Sequence, residues 1–313
     1  MKYLVTGGAG FIGSHLVDAL RRNDHEVVVL DNFETGHRAN LAHHATGVEI
    51  IEGDLRSQSD VAKAVSGCVG VFHQAALPSV PRSMKDPATT HDVNSTGTLN
   101  VLWAAHQSGV RRVVLASSSS VYGDTPRLPK EESMELLPKS PYAASKLSSE
   151  VYAAAFSRGY GLETVALRYF NVFGPRQDPN SPYAAVVPIW LRRMSQGQPP
   201  VIFGDGQQSR DFTFIDNVVD ANLRAMQQME ASGRAFNVAA GERVVLLELA
   251  RELMRAYGFD QPLEFTDRRA GDIEHSWADV DQARQVLGYA ALVPWRDGVT
   301  RTVEWFRTQQ LGR

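Results

Sequence analysis

The feature that most constrains the fold of this chain is a glycine-rich turn close to its first residue. Residues 2–6 form a short apolar run, and Gly7, Gly10 and Gly13 follow before the sequence takes on a helical pattern. A strand that passes through glycines directly into a helix is typical of the first crossover unit of a parallel sheet. The turn therefore predicts an α/β fold.

Further apolar runs of strand length repeat this arrangement along the first half of the chain. Together with the first run, they cover residues 2–6, 26–31, 48–52, 69–73, 112–117 and 163–169. Near-continuous apolar runs separated by helix-length segments are typical of buried parallel strands with helices on both faces. We therefore predict a doubly wound parallel sheet of the Rossmann type.

The pattern changes after residue 169, where prolines between residues 175 and 200 interrupt shorter helices and longer loops. An apolar run at residues 235–239 is placed to return to the first sheet. We expect residues 1–172, with about 212–240 returning, to form the first lobe. Residues 173–211 and 241–313 are then expected to form a smaller C-terminal α/β lobe.

Composition and charge exclude several classes of protein. With 32 Lys and Arg against 35 Asp and Glu, the formal net charge of −3 offers no basic field for nucleic acid. The first residues lack the features of a signal peptide, and no run approaches the roughly 18 apolar residues of a membrane helix. The single cysteine, Cys68, cannot form a disulfide within the chain. We expect a cytoplasmic protein that binds neither nucleic acid nor membrane.

The glycine-rich turn is suited to a dinucleotide. Glycine lets the backbone approach a pyrophosphate closely, and a helix that starts at Phe11 and Ile12 offers unpaired N–H groups. Asp31 ends the second run, 18 residues beyond Gly13. An acid there accepts hydrogen bonds from the adenosine ribose and repels a 2′-phosphate. Since Asn32 follows and no arginine adjoins the acid, we predict NAD rather than NADP. The alternative is a glycine-rich turn that has only a packing role and binds no dinucleotide.

Two further groups follow later strands at the same edge of the sheet. Asp54 and Leu55 come after the third run, and Gln74, Ala75 and Ala76 come after the fourth. Ligands of open parallel sheets bind at the carboxyl ends of the strands. We therefore expect these residues around the cofactor, with Asp54 near the adenine. An exposed loop carboxylate is the alternative for Asp54, because acids are mostly exposed.

A tyrosine and a lysine form the candidate catalytic pair. Ser140 is a helix cap, and Tyr142 and Lys146 lie four residues apart after it, so they share one helix face. A tyrosine with its ordinary pKa near 10 acts as a base at neutral pH when positive charge stabilises the phenolate. Lys146 and an oxidised nicotinamide supply that charge. A surface pair on an amphipathic helix is the alternative when the pair is taken alone.

Several motifs occur in one order across nearly the whole chain and resemble one family. They are the three glycines, the serine run at 117–120, Tyr142-x-x-x-Lys146, the stretch at 168–175 that begins Arg-Tyr-Phe-Asn, and Gly271-Asp272. This set resembles the extended short-chain dehydrogenases/reductases. Within that family it is most similar to the UDP-hexose 4-epimerases, and among them to bacterial UDP-N-acetylglucosamine 4-epimerases.

The resemblance implies a role for individual residues. Ser118 and Tyr142 contact the sugar O4, Lys146 holds the nicotinamide ribose, and Asn171 contacts a substrate phosphate. Further cofactor contacts implied in this way are Asn94, Ser117 and Tyr169. Further substrate contacts implied in this way are Ser119, Ser120, Val187, Val201, Phe203, Arg210, Arg269, Asp272 and Ser276.

The implied reaction inverts C4 of the sugar by transient oxidation. Tyr142 removes the proton of the C4 hydroxyl while hydride passes to NAD, and the bound 4-ketose turns over before hydride returns to its opposite face. Related 4,6-dehydratases carry an acidic pair where this chain has Ser119 and Ser120. Related UDP-glucuronate decarboxylases carry a glutamate at the place of Ser120. Without these carboxylates, epimerisation is the predicted reaction.

The resemblance implies that the substrate is a UDP-sugar. Arginine suits a pyrophosphate because its planar fork gives two parallel hydrogen bonds, although solvent-exposed salt bridging is its commonest role. Relatives that reject N-acetylated hexoses carry a tyrosine where this chain has Ser276. A serine leaves room for an acetamido group. We therefore predict interconversion of UDP-GlcNAc and UDP-GalNAc with some activity on UDP-Glc and UDP-Gal.

Other readings stay open. Arg82 is placed to meet the carboxylate of a UDP-uronic acid, and a UDP-glucose 4-epimerase or a non-catalytic NAD-binding module fits many of the motifs. An NADP-dependent reductase is disfavoured by Asp31.

The histidines form no His-Glu-x-x-His pattern, so we predict no metal. Helices at about residues 93–107 and 142–156 match those that pair in family dimers, which implies a homodimer.

Overall fold

The computed structural model describes residues 1–44, 46–179, 184–268 and 274–311. Its strands, in chain order, are β1 Lys2–Thr6, β2 Glu26–Asp31, β3 Val48–Glu52, β4 Gly70–His73, β5 Arg112–Ser118, β6 Glu163–Tyr169, β7 Val172–Phe173, β8 Val201–Phe203, β9 Ser209–Arg210, β10 Thr213–Phe214, β11 Arg234–Val238, β12 Val244–Val245, β13 Glu264–Thr266 and β14 His275–Ser276.

The helices alternate with the strands in the first half of the chain and are spaced more widely afterwards. They are α1 Phe11–Arg22, α2 Gln58–Val65, α3 Val80–Lys85, α4 Pro87–His91, α5 Gly97–Gln107, α6 Pro141–Tyr160, α7 Val186–Ser195, α8 Ile215–Gln227, α9 Leu246–Tyr257 and α10 Trp295–Leu311. No helix in this described part of the chain is long and apolar enough to cross a bilayer.

A seven-stranded parallel sheet organises the molecule. Its strands lie in the order β11-β6-β5-β4-β1-β2-β3, and each neighbouring pair is parallel. The chain thus starts in the middle of the sheet, builds one edge through β3, and then crosses over to build the other edge. This order confirms the predicted doubly wound α/β fold, and the apolar runs at 2–6, 26–31, 48–52 and 163–169 match their strands end to end.

Side chains alternate across the sheet and fill two apolar cores. Leu4 packs with Val28 and Val71 in the core beneath α2 and α5, whereas its neighbours in β1 face the other core, which includes Leu16 and Leu20 of α1. A strand buried on both faces needs apolar residues at every position, which explains the unbroken runs. Each fully buried Leu or Val contributes about 1.5–3 kcal/mol.

The remaining strands form small sheets beyond the carboxyl edge. β10 pairs with β7, β9 lies between β12 and β14, and β13 pairs with β8. The core on the α1 face continues into this region, where it includes Trp190 of α7 and Leu249 of α9. The run predicted to return to the main sheet does so as β11, beside β6. The division into two lobes stays a prediction.

Local signals explain the ends of the longest helix. Ser140 caps α6, since its side chain accepts a hydrogen bond of 3.1 Å from the Ala143 N–H, and Pro141 occupies the first turn, where no intrahelical donor is needed. Gly161 ends the helix in the left-handed conformation, with φ of 70°. The helix is therefore longer than predicted, and it holds Tyr142 and Lys146 in a regular turn.

Candidate active site

The glycine turn is packed so tightly that side chains are excluded from it. A Cβ atom at Gly13 would lie 2.1 Å from the Gly7 carbonyl oxygen, and one at Gly7 would lie 2.8 Å from the Ala75 backbone. Gly7 also has a φ of +66°, which favours glycine. Helix α1 starts at Phe11, so the N–H groups of its first turn lack partners within the helix. The turn therefore has the open backbone that the predicted anion cradle requires.

Asp31 ends β2 beside this cradle and is 8% exposed. Its two carboxylate oxygens accept hydrogen bonds of 2.9 Å from the N–H groups of Ala9 and Phe33. Each carboxylate oxygen keeps a lone pair for a further donor such as a ribose hydroxyl. The guanidinium of Arg38 stacks 3.9 Å from the centre of the Phe33 ring and pairs with Glu52. This arginine is a neighbour that the sequence argument did not consider.

Asn32 and Asp54 meet at the same edge. The Asn32 side chain donates to Asp54 over 3.2 Å, and Arg56 donates to both Asp54 oxygens over 2.8 and 2.9 Å. The hydrogen bonds from Arg56 lower the pKa of Asp54 to about 2, against a smaller effect of burial. Asp54 is thus a fixed carboxylate. Leu55 differs from expectation in its side chain, which belongs to the apolar core beneath α2 and α5.

The segment after β4 is held from several sides. The Ala75 N–H donates to the Thr6 hydroxyl over 3.2 Å, which ties this segment to the end of β1, and Ala76 follows it. Gln74 accepts a hydrogen bond of 3.1 Å from the Tyr169 phenol and donates one of 3.1 Å to Asn222. The structure therefore uses Gln74 and Tyr169 to join β4, β6 and α8.

Asn94 and His73 form a buried polar network under the cradle. The Asn94 side chain accepts from the Leu77 N–H over 2.8 Å and donates to the Ser145 hydroxyl over 3.0 Å. His73 contacts the hydroxyls of Thr6, at 2.7 Å, and Thr98, at 3.0 Å. Sequence reasoning missed His73, although a histidine in a fully apolar strand is a signal that it has fixed partners.

Ser118 and Tyr142 meet where β5 reaches the carboxyl edge. The Ser118 hydroxyl oxygen accepts hydrogen bonds from the Ser120 N–H, at 3.2 Å, and the Ser120 hydroxyl, at 2.9 Å. Its own proton is left to donate. Burial raises the pKa of the Tyr142 phenol, and the nearby Ser118 side chain lowers it by a smaller amount. Ser119 begins the short 3₁₀ turn that follows.

Lys146 lies one helical turn beyond Tyr142 and is 6% exposed. Its ammonium donates to the Ala116 carbonyl over 2.9 Å. Burial lowers the pKa of Lys146 to about 8, and the charge of Glu150 acts in the opposite direction. The structure thus brings the three predicted catalytic residues to one edge, with a lysine that is mostly protonated at neutral pH.

A buried ion pair supports this group. Glu150, one further turn along α6, accepts hydrogen bonds from Ser117 and from Arg168 of β6, whose Nη2 atom lies 2.7 Å away. Arg168 also donates to the Tyr122 phenol over 2.9 Å. Sequence reasoning gave Glu150 no role, although it follows Lys146 at the same four-residue spacing. Ser117, predicted as a cofactor contact, donates to this carboxylate.

A cavity of 450 Å³ opens beyond the carboxyl edge, between β7, α7, β8 and β9. Among the predicted substrate residues, those that line it are Asn171, Val187, Val201, Phe203 and Arg210. Lining residues that sequence reasoning missed include Trp190, Gln208, Phe212 and Leu246. Trp190 and Val187 lie three residues apart in α7, a spacing that indicates a shared face once the helix is recognised.

Other predicted substrate residues lie outside the cavity lining. Ser120 contacts Ser118, and Ser276 of β14 is in register with Arg210 of β9. Ser276 is therefore one strand away from a lining residue. Arg269 and Asp272 lie outside the described residues. Arg82 of α3 forms an ion pair with Glu34.

The geometry defines a class of protein. A doubly wound parallel sheet with a glycine cradle after β1, and with a serine, a tyrosine and a lysine at its carboxyl edge, is the arrangement of a dinucleotide-dependent short-chain dehydrogenase/reductase of the extended type. The sequence model of the NAD dependent epimerase/dehydratase family matches residues 3–239. The chain belongs to this family.

Three similar proteins span nearly the whole chain. UDP-glucose 4-epimerase of Mycolicibacterium smegmatis is 40% identical over 318 residues, 99% of each chain. The structure of UDP-N-acetylglucosamine 4-epimerase from Methanobrevibacter ruminantium M1, in complex with UDP-N-acetylmuramic acid, has a TM-score of 0.94 at 40% identity and covers 98% of each chain. UDP-glucose 4-epimerase of Thermus thermophilus, in complex with NAD, has a TM-score of 0.88 at 37% identity, over 98% of this chain and 99% of that one.

These findings confirm the family and the expectation of NAD, and the residues of the chain fit that cofactor. A Cβ atom would fill the cradle at Gly13, which leaves the backbone open to a pyrophosphate. Asp31 stands as an acceptor at the end of β2, and the Lys146 ammonium is held at the end of β5 by the Ala116 carbonyl. An acceptor and a buried cation at these places suit two riboses at opposite ends of a dinucleotide.

Proposed function

We propose that this chain is an NAD-dependent 4-epimerase of a UDP-sugar, that it interconverts UDP-GlcNAc and UDP-GalNAc, and that it also accepts UDP-Glc and UDP-Gal. The observation that carries the reaction is the placement of the Tyr142 phenol close to the Ser118 side chain, one helical turn from the buried Lys146. The sugar preference rests on Ser276.

In this proposal Tyr142 removes the proton of the C4 hydroxyl and later returns it to the same oxygen. Burial holds the pKa of the phenol above its usual value, so Tyr142 needs positive charge nearby before it acts as a base at neutral pH. Lys146 supplies that charge, because its pKa of about 8 keeps most of it protonated. Ser118 donates a hydrogen bond that stabilises the phenolate and is placed to hold the sugar O4 beside it.

NAD, when bound, supplies the acceptor and donor of the C4 hydride, so the reaction has no net oxidation. We therefore expect the cofactor to remain bound between turnovers. The residues proposed to hold it are Gly7, Gly10, Phe11, Ile12, Gly13, Asp31, Asn32, Asp54, Leu55, Gln74, Ala75, Ala76, Asn94, Ser117, Tyr142, Lys146 and Tyr169. Leu55, Gln74, Asn94, Ser117 and Tyr169 fit this set through their backbone or by positioning neighbours, since their side chains have protein partners.

The same edge argues against elimination and decarboxylation. Positions 119 and 120 carry serines, and the Ser120 hydroxyl is turned to Ser118. A serine hydroxyl is a poor general acid or base at neutral pH without a neighbouring base. The site therefore has a base for the C4 hydroxyl, and no carboxylate at these two positions to act on C5 or C6.

The cavity supports a UDP-sugar as the substrate. Arg210 offers a guanidinium to the pyrophosphate, and Val201 and Phe203 offer apolar surface to the uracil. Ser276 lies beside Arg210 in the sheet, so a small side chain there leaves room next to the sugar C2. Arg269 and Asp272 remain part of the proposal through the family resemblance.

The proposal is tested by a product assay on purified protein without added cofactor. UDP-GlcNAc, UDP-GalNAc, UDP-Glc and UDP-Gal are offered separately, and the epimers are resolved. Conversion of the acetylated pair is the expected result. Conversion of the plain pair alone keeps the reaction and refutes the sugar preference. No conversion after NAD is added favours a UDP-uronic acid substrate or a binding module.

Tyr142→Phe serves as the matched control in this assay. The substitution removes the phenolic oxygen and keeps the ring, so the fold is retained while turnover is expected to drop by roughly 10²–10⁴. NAD content and circular dichroism of the variant are compared with those of the parent. Full activity of the variant would remove Tyr142 from the mechanism.

A homodimer formed through α5 and α6 is part of the proposal. Exposed apolar side chains on these two helices are Trp103, Val151, Tyr152 and Tyr160. An apolar patch of this kind on packed helices is typical of a protein interface.

The expectation of a cytoplasmic enzyme also remains a proposal, and the free, buried thiol of Cys68 is compatible with a reducing compartment.

A further inference from the structure

Three side chains outside the candidate active site converge on one point. Asp18 lies in α1, and His43 and His44 lie in the turn before β3. The Nε2 atoms of both histidines lie 2.8 Å from the same oxygen, Asp18 Oδ1. The three ligand atoms all lie within 4.8 Å of one another. Among the residues that the structure describes, this is the group in which three potential metal ligands come together.

The chemistry of this set suits a divalent transition metal. Imidazole nitrogens and a carboxylate oxygen are common Zn²⁺ ligands, with bonds of about 2.0–2.2 Å in tetrahedral geometry. Donor atoms in such a site are about 3.3 Å apart, so the two contacts of 2.8 Å need to open by about half an ångström. That movement is small for the His43 side chain, which is 50% exposed.

The residues around Asp18, His43 and His44 leave the Asp18 Oδ1 atom available to coordinate a metal. Arg176 donates to the other oxygen, Asp18 Oδ2, over 2.7 Å, so it orients the carboxylate without using Oδ1. Burial opposes ionisation, but Arg176 and the two histidines together lower the pKa of Asp18 below its usual value. Asp18 and His44 are 12% and 13% exposed, whereas the half-exposed His43 leaves a path for an ion and a water ligand.

We propose that Asp18, His43 and His44 form a site for a divalent transition metal, with Zn²⁺ as the preferred ion and water completing its coordination. No short sequence motif reveals this site, because His43 stands 25 positions after Asp18 in the chain. A bound ion would tie the 43–44 turn to α1 and, through Arg176, to the segment that follows β7. It stabilises the fold and takes no part in the epimerase chemistry, so it stands apart from the proposed function.

The test uses the full chain with its retained NAD, without an affinity tag that binds metals, after treatment with EDTA and transfer to metal-free buffer. Zn²⁺ is titrated by calorimetry, and Co²⁺ is titrated by visible absorption, which reports tetrahedral coordination. We expect one equivalent of Zn²⁺ with micromolar affinity. At a hundredfold excess over the Kd, Tm is expected to rise by about 4 °C or more.

Variants show whether binding involves these residues. His44→Ala and Asp18→Asn should each weaken Zn²⁺ binding at least tenfold, and His43→Ala, which keeps the Asp18–Arg176 pair, should do the same. His91→Ala, which removes an exposed histidine of α4, is the matched control and should bind as the parent does. Tm in EDTA establishes that each variant is folded. The proposal is overturned by the absence of saturable binding to the parent, or by undiminished binding to folded His43→Ala and His44→Ala.

Discussion

Burial shifts the pKa values of individual side chains at the candidate active site. Burial lowers the pKa of Lys146 to about 8 and raises that of Tyr142, whereas Ser118 lowers the pKa of the same phenol. Burial, with a smaller effect of the Lys146 charge, also lowers the pKa of His73 to about 3. His73 therefore stays neutral and joins Thr6 to Thr98 without adding a cation. Of His73 and Lys146, the lysine is therefore the one whose charge can stabilise a phenolate.

Replacing Gly13 with alanine should abolish retention of NAD. The new Cβ would lie 2.1 Å from the Gly7 carbonyl oxygen, so the turn has to move away from the shape that holds a pyrophosphate. We expect a stability loss of about 1–3 kcal/mol and protein that is purified without cofactor. Gly159→Ala is the control, because nothing lies within 4 Å of a Cβ there. NAD released on denaturation is measured, and a stoichiometric amount from Gly13→Ala would contradict the assignment.

Replacing Ser276 with tyrosine should reduce turnover of UDP-GlcNAc more than turnover of UDP-Glc. Ser276 is in register with Arg210, a residue of the cavity wall, so added bulk is expected to reach the sugar C2 substituent. The measurement is kcat/KM for both substrates, with a change in their ratio of at least tenfold expected. Ser276→Ala, which keeps the space open, should leave the ratio unchanged. Equal loss for both sugars would refute the sugar preference.

Among the structural elements, α6 contributes most to the site. It presents Tyr142, Lys146 and Glu150 at four-residue spacing, so the three side chains form one row that faces β5 and β6. The end of the row is fixed by the Glu150–Arg168 pair, which is buried on both sides. Because β6 supplies the arginine, the position of Lys146 depends on the packing of this helix against the sheet.

Replacing Glu150 with glutamine should move the alkaline limb of the pH–rate profile to lower pH. The Glu150 charge raises the pKa of Lys146 against burial, so its removal lets that pKa fall further below about 8. Activity that needs the ammonium is present below this pKa and is lost as the pH rises through it. The measurement is kcat as a function of pH, taken at a temperature where the variant is folded.

Glu163→Gln is the matched control for this prediction. It removes the partner of Arg112, a buried arginine on β5, without touching the row on α6. Glu150→Gln is expected to cost about 3–5 kcal/mol of stability, because it leaves the buried Arg168 guanidinium without its carboxylate. Glu163→Gln is expected to cost less, because the Glu163 side chain is 31% exposed and Arg112 also donates to two backbone carbonyls. The alkaline limb should shift for Glu150→Gln alone, and an unshifted limb would contradict the role of Glu150.

For the molecule as a whole, the apolar patch on α5 and α6 bears on assembly. Val151 is 61% exposed although it lies in the helix that carries the candidate catalytic pair. We expect a solution mass of about twice 34.5 kDa and a shift toward the monomer in Val151→Glu. Leu292→Glu, at an exposed apolar residue away from these helices, is the control. Light scattering with size-exclusion chromatography measures the mass, and a monomeric parent would remove the dimer from the proposal.

The local parts of the site could be predicted before the fold was known. The glycine turn, the acid at Asp31 and the Tyr142–Lys146 spacing are each encoded within a few residues, and each lies where the strand and helix patterns placed it. Leu55 illustrates the limit of this reasoning. Its position after β3 is as expected, but the direction of its side chain depends on α5, whose Gly97 backbone packs against it.

By itself the sequence determined the parallel strands, the glycine turn and the shared helix face of Tyr142 and Lys146, because each depends on periodicity or spacing along a continuous stretch of chain. The tertiary structure alone decided that Arg168 pairs with Glu150 and that Asp18 meets His43 and His44. It also decided that Gln208 and Phe212 share a cavity wall with α7. These contacts join residues that the crossovers of the chain bring together, and no local pattern encodes the distance between them.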